Sequence, residues 1–157
     1  MVHLTLDANN MSIQIKKFFH PNGRLRSETP QQNGRAHGLA IKYHPNGQMA
    51  EEISYENGIQ HGIAKVWASD GRFLGEYELN HGTGISKKWH DNGVLWAEVS
   101  LLKGIPTGQQ KTWYEDGKSL PDTYWIRGKQ VSRKKYFEAC KTDSELPQYL
   151  EIKSSAS

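Results

Sequence analysis

The sequence predicts an all-β repeat fold, an elongated antiparallel meander of β-hairpins, on three observations. A glycine returns at intervals of 24, 24, 22 and 24 residues, a bulky aromatic residue stands four positions before it, and an acid stands five positions after it. Self-similarity at one period indicates small units that bury their apolar sides against their neighbours. The repeated glycines are Gly23, Gly47, Gly71, Gly93 and Gly117, and the aromatic residues are Phe19, Tyr43, Trp67, Trp89 and Trp113.

Each unit has the pattern strand, tight turn, strand and loop. Asn46-Gly47 and Asp70-Gly71 favour hairpin turns, because their backbones tolerate positive φ. A second turn recurs within the unit, as at Asn57-Gly58, and the third unit is two residues shorter there, which explains the 22-residue interval. Two turns per unit leave strands of about six and nine residues, which are usual strand lengths.

Side-chain alternation predicts which residues share a face of the sheet. Apolar residues recur two, six and eight positions after the turn glycine, as Phe73, Tyr77 and Leu79 do after Gly71. The acids stand at an odd offset, so we expect them on the opposite, polar face. These acids are Glu28, Glu52, Glu76, Glu98 and Asp122.

The two ends of the chain depart from the repeat. Ser132 can cap a short helix that reaches about Lys141, and we expect this helix to cover the last strands. In the fifth unit Pro121 is expected to interrupt the strand. The predicted division is 1–17 for a leading strand or cap, 18–131 for five repeats, 132–151 for a helical cap and 152–157 for a disordered tail.

Composition excludes several classes of protein. The 157 residues include five Trp, seven Tyr and four Phe, too many aromatic residues for a disordered chain. The net charge of +3, with both signs interspersed, argues against a nucleic-acid binder. One cysteine, Cys140, indicates a reducing compartment, and residues 1–10 lack the features of a secretory signal. No apolar run is long enough to span a membrane, so we expect a cytoplasmic protein.

The acids and the histidines each permit a chemical and a structural interpretation. The acids could line a groove for a basic partner or a metal, but cross-strand pairing with lysines such as Lys42 and Lys88 is favoured, because a residue present in every unit maintains the unit. Six histidines lie in the repeats, but their spacing lacks the short ligand pairs of a zinc site. Hydrogen bonds that support the turns are favoured, and no metal or cofactor is predicted.

Catalysis is not expected. Cys140 stands on the presumed packing side of the C-terminal helix, where a free cysteine is usually inert. The aromatic residues that precede the turns favour a core or groove floor, with a stacking platform for sugars or bases as the alternative. The sequence therefore predicts a protein that is not an enzyme.

The polar face becomes apolar towards the C-terminal half of the chain. Arg26 and Ala50 in the early units give way to larger apolar residues at equivalent offsets. An exposed apolar patch with aromatic residues is typical of a protein-binding surface, although the C-terminal helix could cover it instead. The predicted anchors are Leu74, Trp96, Leu120 and Tyr124, with Glu76 and Glu98 steering a basic partner.

The repeat resembles a known family. From Gly38 to Glu52 the chain carries a glycine, the aromatic Tyr43, the turn Pro45-Asn46-Gly47 and the acid, a pattern similar to the bacterial MORN-repeat-variant family. The resemblance extends roughly from Phe19 to Gly128 and implies a MORN-like scaffold of hairpins. Members of that family are often labelled YwqK-type antitoxins or immunity proteins, which bind and neutralise a toxin.

The resemblance thus implies a binding module that blocks a partner toxin sterically, without chemistry of its own. Other MORN proteins are assembly scaffolds or peripheral membrane binders, so two alternatives stay open. One is a scaffold or oligomerisation module. The other is a phospholipid binder, for which Lys16-Lys17 and Arg133-Lys134-Lys135 are short basic candidates.

Overall fold

The structure is a computed structural model that describes residues 5–6 and 12–149 of the chain. The predicted tail 152–157 and most of the predicted leading segment lie outside the described residues. Within them the chain forms a single sheet of thirteen strands and one helix. The strands are β1 Thr5–Leu6, β2 Ser12–Phe19, β3 Leu25–Gln32, β4 Arg35–Ala36, β5 Gly38–Tyr43, β6 Met49–Glu56, β7 Ile59–Trp67, β8 Phe73–Asn80, β9 Thr83–Trp89, β10 Leu95–Leu102, β11 Ile105–Thr112, β12 Thr123–Ile126 and β13 Lys129–Val131, and the helix is α1 Arg133–Cys140.

The sheet is an antiparallel meander. Strands follow one another in chain order across the sheet, except that the short β4 pairs with β3 beside the main path. This confirms the predicted fold of consecutive hairpins with one short C-terminal helix. In the fifth unit Trp113 and Ser119 form only an isolated bridge, and β12 begins at Thr123, two residues after Pro121, as expected of a proline in a strand.

Two kinds of turn alternate along the chain. In the turns with Asn57-Gly58 and its counterparts both central residues have positive φ (50° and 88° here), the geometry of a type I′ hairpin. In the other kind the turn glycine donates its N–H to the carbonyl three residues earlier, as from Gly47 to His44 at 2.8 Å. The predicted turn sequences therefore lie at both ends of the strands.

A β-bulge follows each of the first four turns that contain the repeated glycine, and it corrects the predicted faces. Trp67 pairs with Phe73, but Val66 pairs with Gly75, so one extra residue, Leu74, is inserted between them. Paired residues share a face, and so do residues two apart on one strand. Phe73 therefore lies on the face of Trp67 and the acid row, whereas Tyr77 and Leu79 lie on the opposite face. The prediction that the residues two, six and eight positions after the turn glycine share one apolar face is thus wrong for the residue at position two, which is Phe73 in this unit.

The buried core lies on the face that carries the small apolar residues. Ala40, Ile53, Ala64 and Tyr77 are aligned across β5 to β8 by direct pairing, and the first three are at most 4 % exposed. Leu79 and Ala97 extend this buried surface. We call it the alanine face, and the opposite side, which carries the acids, the charged face.

Side chains in the turns connect one unit to the next. The Nε2–H groups of His20, His44 and His90 donate to the carbonyls of Tyr43, Trp67 and Trp113, at 2.8 to 2.9 Å. In the third unit the equivalent residue is Ala68, which is fully buried. These bonds match the turn-supporting role predicted for the histidines.

The second row of turns is connected in the same way. The backbone N–H of Asn57 donates to Nδ1 of His37 at 3.4 Å, and that of His81 donates to Nδ1 of His61 at 3.1 Å. Threonine hydroxyls take the acceptor role further on, for the N–H groups of Lys103 and Arg127. Both rows of turns therefore hold the stacked units together.

The C-terminal segment covers the charged face at the end of the sheet. Ser132 caps α1 by accepting the N–H of Lys135 at 3.2 Å, as predicted. Tyr136 is fully buried and its hydroxyl donates to the carbonyl of Pro147 at 2.7 Å, and burial raises its pKa. Its ring lies 5.5 Å from that of Tyr124. None of the described helices is long and apolar enough to cross a membrane.

Candidate protein-interaction surface

A row of alternating charges crosses the charged face. Register places Lys17 opposite Glu28, Lys65 between Glu52 and Glu76, and Glu98 between Lys87 and Lys111. The closest approaches are 3.7 Å from Lys17 Nζ to a carboxylate oxygen of Glu28 and 3.8 Å from Lys87 Nζ to Glu98. These pairs support the structural interpretation of the acids, but with lysines other than those predicted.

The two lysines named as partners of the acids lie elsewhere. Lys42 donates to Glu51 at 2.7 Å on the alanine face. Burial alone lowers the pKa of Lys42, but the Glu51 carboxylate more than offsets this, and the net shift is upward. Lys88 Nζ lies 5.3 Å from the centre of the Trp96 ring. Lys42 and Lys88 both lie on the alanine face, because the bulge changes which residues of the following strand share a face with them.

A row of exposed aliphatic side chains runs beside the charges. Three of its members directly follow Gly38, Gly62 and Gly84, the glycines that come a few residues after the second turns, and the fourth holds the matching place in β2. Each is two residues from a charged-face position on its own strand. Neighbouring members are two strands apart, about 10 Å. The row consists of Ile15, Leu39, Ile63 and Ile85, which are 41 %, 48 %, 48 % and 46 % exposed.

The chain itself covers the far end of this aliphatic row. In the fourth full unit the matching residue is Gln109 instead of an aliphatic residue. The Tyr149 hydroxyl lies 2.7 Å from Ser100 Oγ and accepts the Gln109 N–H at 3.1 Å. Tyr124, which pairs with Gln109, is buried under α1. The described part of the C-terminal segment thus occupies this end and does not cover the four aliphatic residues.

An aromatic row borders the charges on their other side. Trp67 and Phe73 pair across β7 and β8 with ring centres 5.7 Å apart, and the Tyr43 hydroxyl donates to Glu28 at 2.8 Å. Phe19, predicted to be core or groove floor, is 58 % exposed at the start of the row, and Phe73 is 55 % exposed. The charged face therefore presents apolar surface on both sides of a neutral charged row.

The predicted anchors do not form one patch. Tyr124 is 7 % exposed because Tyr136 and Phe137 of α1 cover it, so its predicted role as an exposed anchor is wrong. Leu74 and Leu120 are half-buried, and Leu74 packs near Gly93 of the next turn. Trp96 is 46 % exposed and remains available to a partner.

Trp96 is the extra residue of a bulge and faces a different neighbourhood from Glu76 and Glu98. It lines a shallow pocket of about 200 Å³ together with Glu51, Val66, Lys87, Lys88 and Trp89. Of these, Glu51, Val66 and Lys88 belong to the alanine face. Glu76 and Glu98 stand opposite lysines in the charged row, so they give little net field to steer a basic partner.

The aliphatic row was not predicted from the sequence. Its signal is an apolar residue directly after Gly38, Gly62 and Gly84, namely Leu39, Ile63 and Ile85. Because these positions repeat from unit to unit, they resemble residues that only maintain the unit. The repeated aliphatic residue is therefore both a regular feature of the unit and part of a continuous exposed surface.

Over residues 12–149 the fold and surface define a class of protein: a stack of β-hairpin units with one face largely uncovered and a C-terminal end that the chain itself covers. Residues 36–57 and 83–102 match the family model of the MORN repeat variant. These two segments are thus similar to MORN repeats, which are generally protein- or membrane-binding modules. No curated protein and no solved structure matches the chain.

Proposed function

We propose that this chain is a non-catalytic protein-binding module that acts as an antitoxin or immunity protein. Its charged face, with the aliphatic row at the centre of contact, covers the active site of a partner toxin. The open row of Ile15, Leu39, Ile63 and Ile85 is the observation that carries the proposal. The antitoxin role is supported by the resemblance of the repeats, and the single cysteine accords with action in the cytoplasm.

The aliphatic row has the chemistry of a binding surface. Side chains that are nearly half exposed can each contribute about 1 kcal/mol when a partner removes the remaining surface from water. The chain already uses this surface once, because Tyr149 docks on the continuation of the row beside Ser100 and Gln109. A partner that extends this covered end would bury a continuous apolar strip.

The charged row defines what the partner needs. It alternates lysines and glutamates, so a complementary partner carries both signs or neutral polar groups there rather than one strong charge. Specificity then comes from register along the row and affinity from the aliphatic residues. This replaces steering by Glu76 and Glu98 with recognition of an apolar strip.

A growth-rescue assay tests the proposal. The product of the reading frame beside this gene is expressed alone and together with this chain. We expect toxicity alone, rescue by the wild type, and loss of rescue by Ile63→Glu. The matched control is Ile105→Glu, because Ile105 is 47 % exposed but lies at the β10–β11 turn, outside the row.

Three outcomes would contradict the proposal. A neighbouring product that is harmless removes the antitoxin role, and rescue by Ile63→Glu equal to the wild type removes the row. Concentration-dependent self-association of the purified chain that Ile63→Glu abolishes would assign the row to the scaffold alternative. Purified variants must keep the wild-type circular dichroism spectrum, so that loss of rescue reports on binding rather than on folding.

A further inference from the structure

Three side chains of residue types that commonly bind metals lie close together at the second row of turns. Oε2 of Glu56 lies 3.1 Å from Nε2 of His81 and 4.0 Å from Nε2 of His61. The imidazole rings have centres 4.1 Å apart and planes inclined by 30°. One potential ligand atom from each residue lies within 4.8 Å of the other two. From this cluster we propose that Glu56, His61 and His81 form a site for a divalent transition-metal ion of the zinc class.

Stacking of the hairpins brings the three residues together. Glu56 ends β6, His61 lies in β7, and His81 is the first central residue of the β8–β9 turn, with φ at 45°. The third unit is two residues shorter at this place. The juxtaposition is specific to this junction, because at the next junction Asn80, Thr83 and Lys103 occupy the places of Glu56, His61 and His81.

The turns do not require these side chains for their own support. The His81 N–H needs an acceptor at position 61, but Thr83 and Thr107 provide the same acceptor for Lys103 and Arg127. The Glu56 carboxylate and the His81 ring take no part in that backbone contact. Stacking therefore accounts for an acceptor at position 61, but not for a carboxylate and two imidazoles at one point.

The chemistry of the ligand set suits a zinc-class ion. Zinc takes nitrogen and carboxylate ligands at about 2.0–2.1 Å, which places tetrahedral ligand atoms about 3.3 Å apart. The two separations from Glu56 lie on either side of that value, and all three ligand atoms lie within 4.8 Å of one another. Mg²⁺ and Ca²⁺ prefer oxygen ligands and are disfavoured by two imidazoles.

The hydrogen bonds around the site favour metal binding by His81 and disfavour metal binding by His61. Asn80 Oδ1 lies 2.8 Å from His81 Nδ1, and if that nitrogen carries the proton, Nε2 is left to bind the ion, an arrangement common around metal-bound histidine. His61 Nδ1 accepts the His81 N–H. For His61 to bind the ion through Nε2, the imidazole proton must move to Nδ1, and the His81 N–H must then donate to water. The ion would then link the β6–β7 hairpin to the β8–β9 turn.

Calorimetric titration of the full chain with ZnCl₂ near neutral pH, with any affinity tag removed, tests the site. We expect one ion per chain, and a loss of affinity of about tenfold or more in Glu56→Gln and in His81→Ala. His61→Thr keeps an acceptor for the His81 N–H but removes the imidazole, so it should lose affinity while it retains the melting temperature of the metal-free chain. His37→Thr, the same change one unit earlier, should bind like the wild type.

Cobalt gives a second, spectroscopic measurement. Co²⁺ in place of zinc should give the intense visible bands of a tetrahedral site. The absence of saturable binding would overturn the proposal, as would affinity that Glu56→Gln and His81→Ala leave unchanged. Growth rescue by His61→Thr would still report on the toxin partner, so the two proposals can fail separately.

Discussion

At the scale of single residues, the structure assigns most of the histidines to the joints between units. His44 is the clearest case, because its Nε2–H reaches the Trp67 carbonyl in the next unit at 2.9 Å. The bond is partly buried, so the carbonyl it satisfies has restricted access to water. The histidine that follows the aromatic residue in three of the units therefore bonds one unit to the next, whereas in the third unit the buried Ala68 occupies this place.

His44→Ala should lower the free energy of unfolding by about 1 kcal/mol, because it leaves the Trp67 carbonyl without its donor. His44→Gln should recover part of this loss, since its amide can donate to the same carbonyl. Urea denaturation followed by tryptophan fluorescence measures both variants. Equal stability of wild type and His44→Ala would contradict the role given to these histidines.

Asp91 makes a joint that depends on pH. It accepts the Ser69 hydroxyl at 2.6 Å and the Ser69 N–H at 2.7 Å, and these two bonds lower the pKa of Asp91 below its ordinary 3.8. A depressed pKa contributes stability above the unfolded value, and that contribution is lost as pH falls through the folded value. The joint between the third and fourth units is therefore acid-sensitive.

Asp91→Asn should melt at a lower temperature than the wild type near neutral pH, and the difference should vanish towards about pH 2. Thermal melts across this range measure it, with Glu78→Gln as a control for loss of an exposed carboxylate. A difference that stays constant with pH would show that the carboxylate charge is not what stabilises this joint.

At the scale of elements, the bulge determines the composition of the two faces. Lys65 and Trp67 stand two residues apart on β7, while their partners Glu76 and Phe73 stand three apart on β8. The insertion of Leu74 shifts the phase of alternation within the strand. Its counterpart Trp96 therefore meets Lys88, and the aliphatic row, the charged row and the aromatic row share one face.

Much of the fold could be predicted because its signals are local. Gly47 and Asn57-Gly58 fix turns, and Ser132 fixes the start of α1, each within a few residues. The bulge at Leu74 could not be predicted from alternation, because an inserted residue leaves the sequence pattern apparently unbroken. The meeting of His61 with His81 depends on the stacking of separate hairpins and on the shorter third unit, so sequence spacing did not reveal it.

The C-terminal cover makes a separate prediction for this part of the fold. Tyr136 is fully buried against Tyr124 and holds Pro147 through its hydroxyl. Tyr136→Ala should cost about 3–5 kcal/mol, the usual range for a large buried aromatic side chain. Tyr136→Phe should cost far less, since it keeps the ring and loses one hydrogen bond. Chemical denaturation measures both, and equal losses would mean that packing does not dominate.

At the scale of the whole molecule, the stack of units turns single side chains into continuous rows. A single exposed aliphatic residue is common on a protein surface, but here four of them form a strip of apolar surface with about 10 Å between neighbours. The same stacking neutralises the charged row, so the molecule offers shape and apolar contact rather than a strong field. In the described residues the sheet is covered by its own C-terminal segment at one end and uncovered along the aliphatic row, and the proposed binding of a second chain rests on this arrangement.

Site-specific photo-crosslinking in the native host tests this most directly, because the crosslink forms with whichever protein lies against the chosen position. A benzophenone amino acid is placed at positions 39, 63 and 85 of the aliphatic row, and at positions 105 and 114 as exposed controls outside it. We predict one and the same protein adduct from all three row positions and none from the controls. Adducts that form only at the controls, or no adduct from any position in the row, would contradict the assignment of this face as the binding surface.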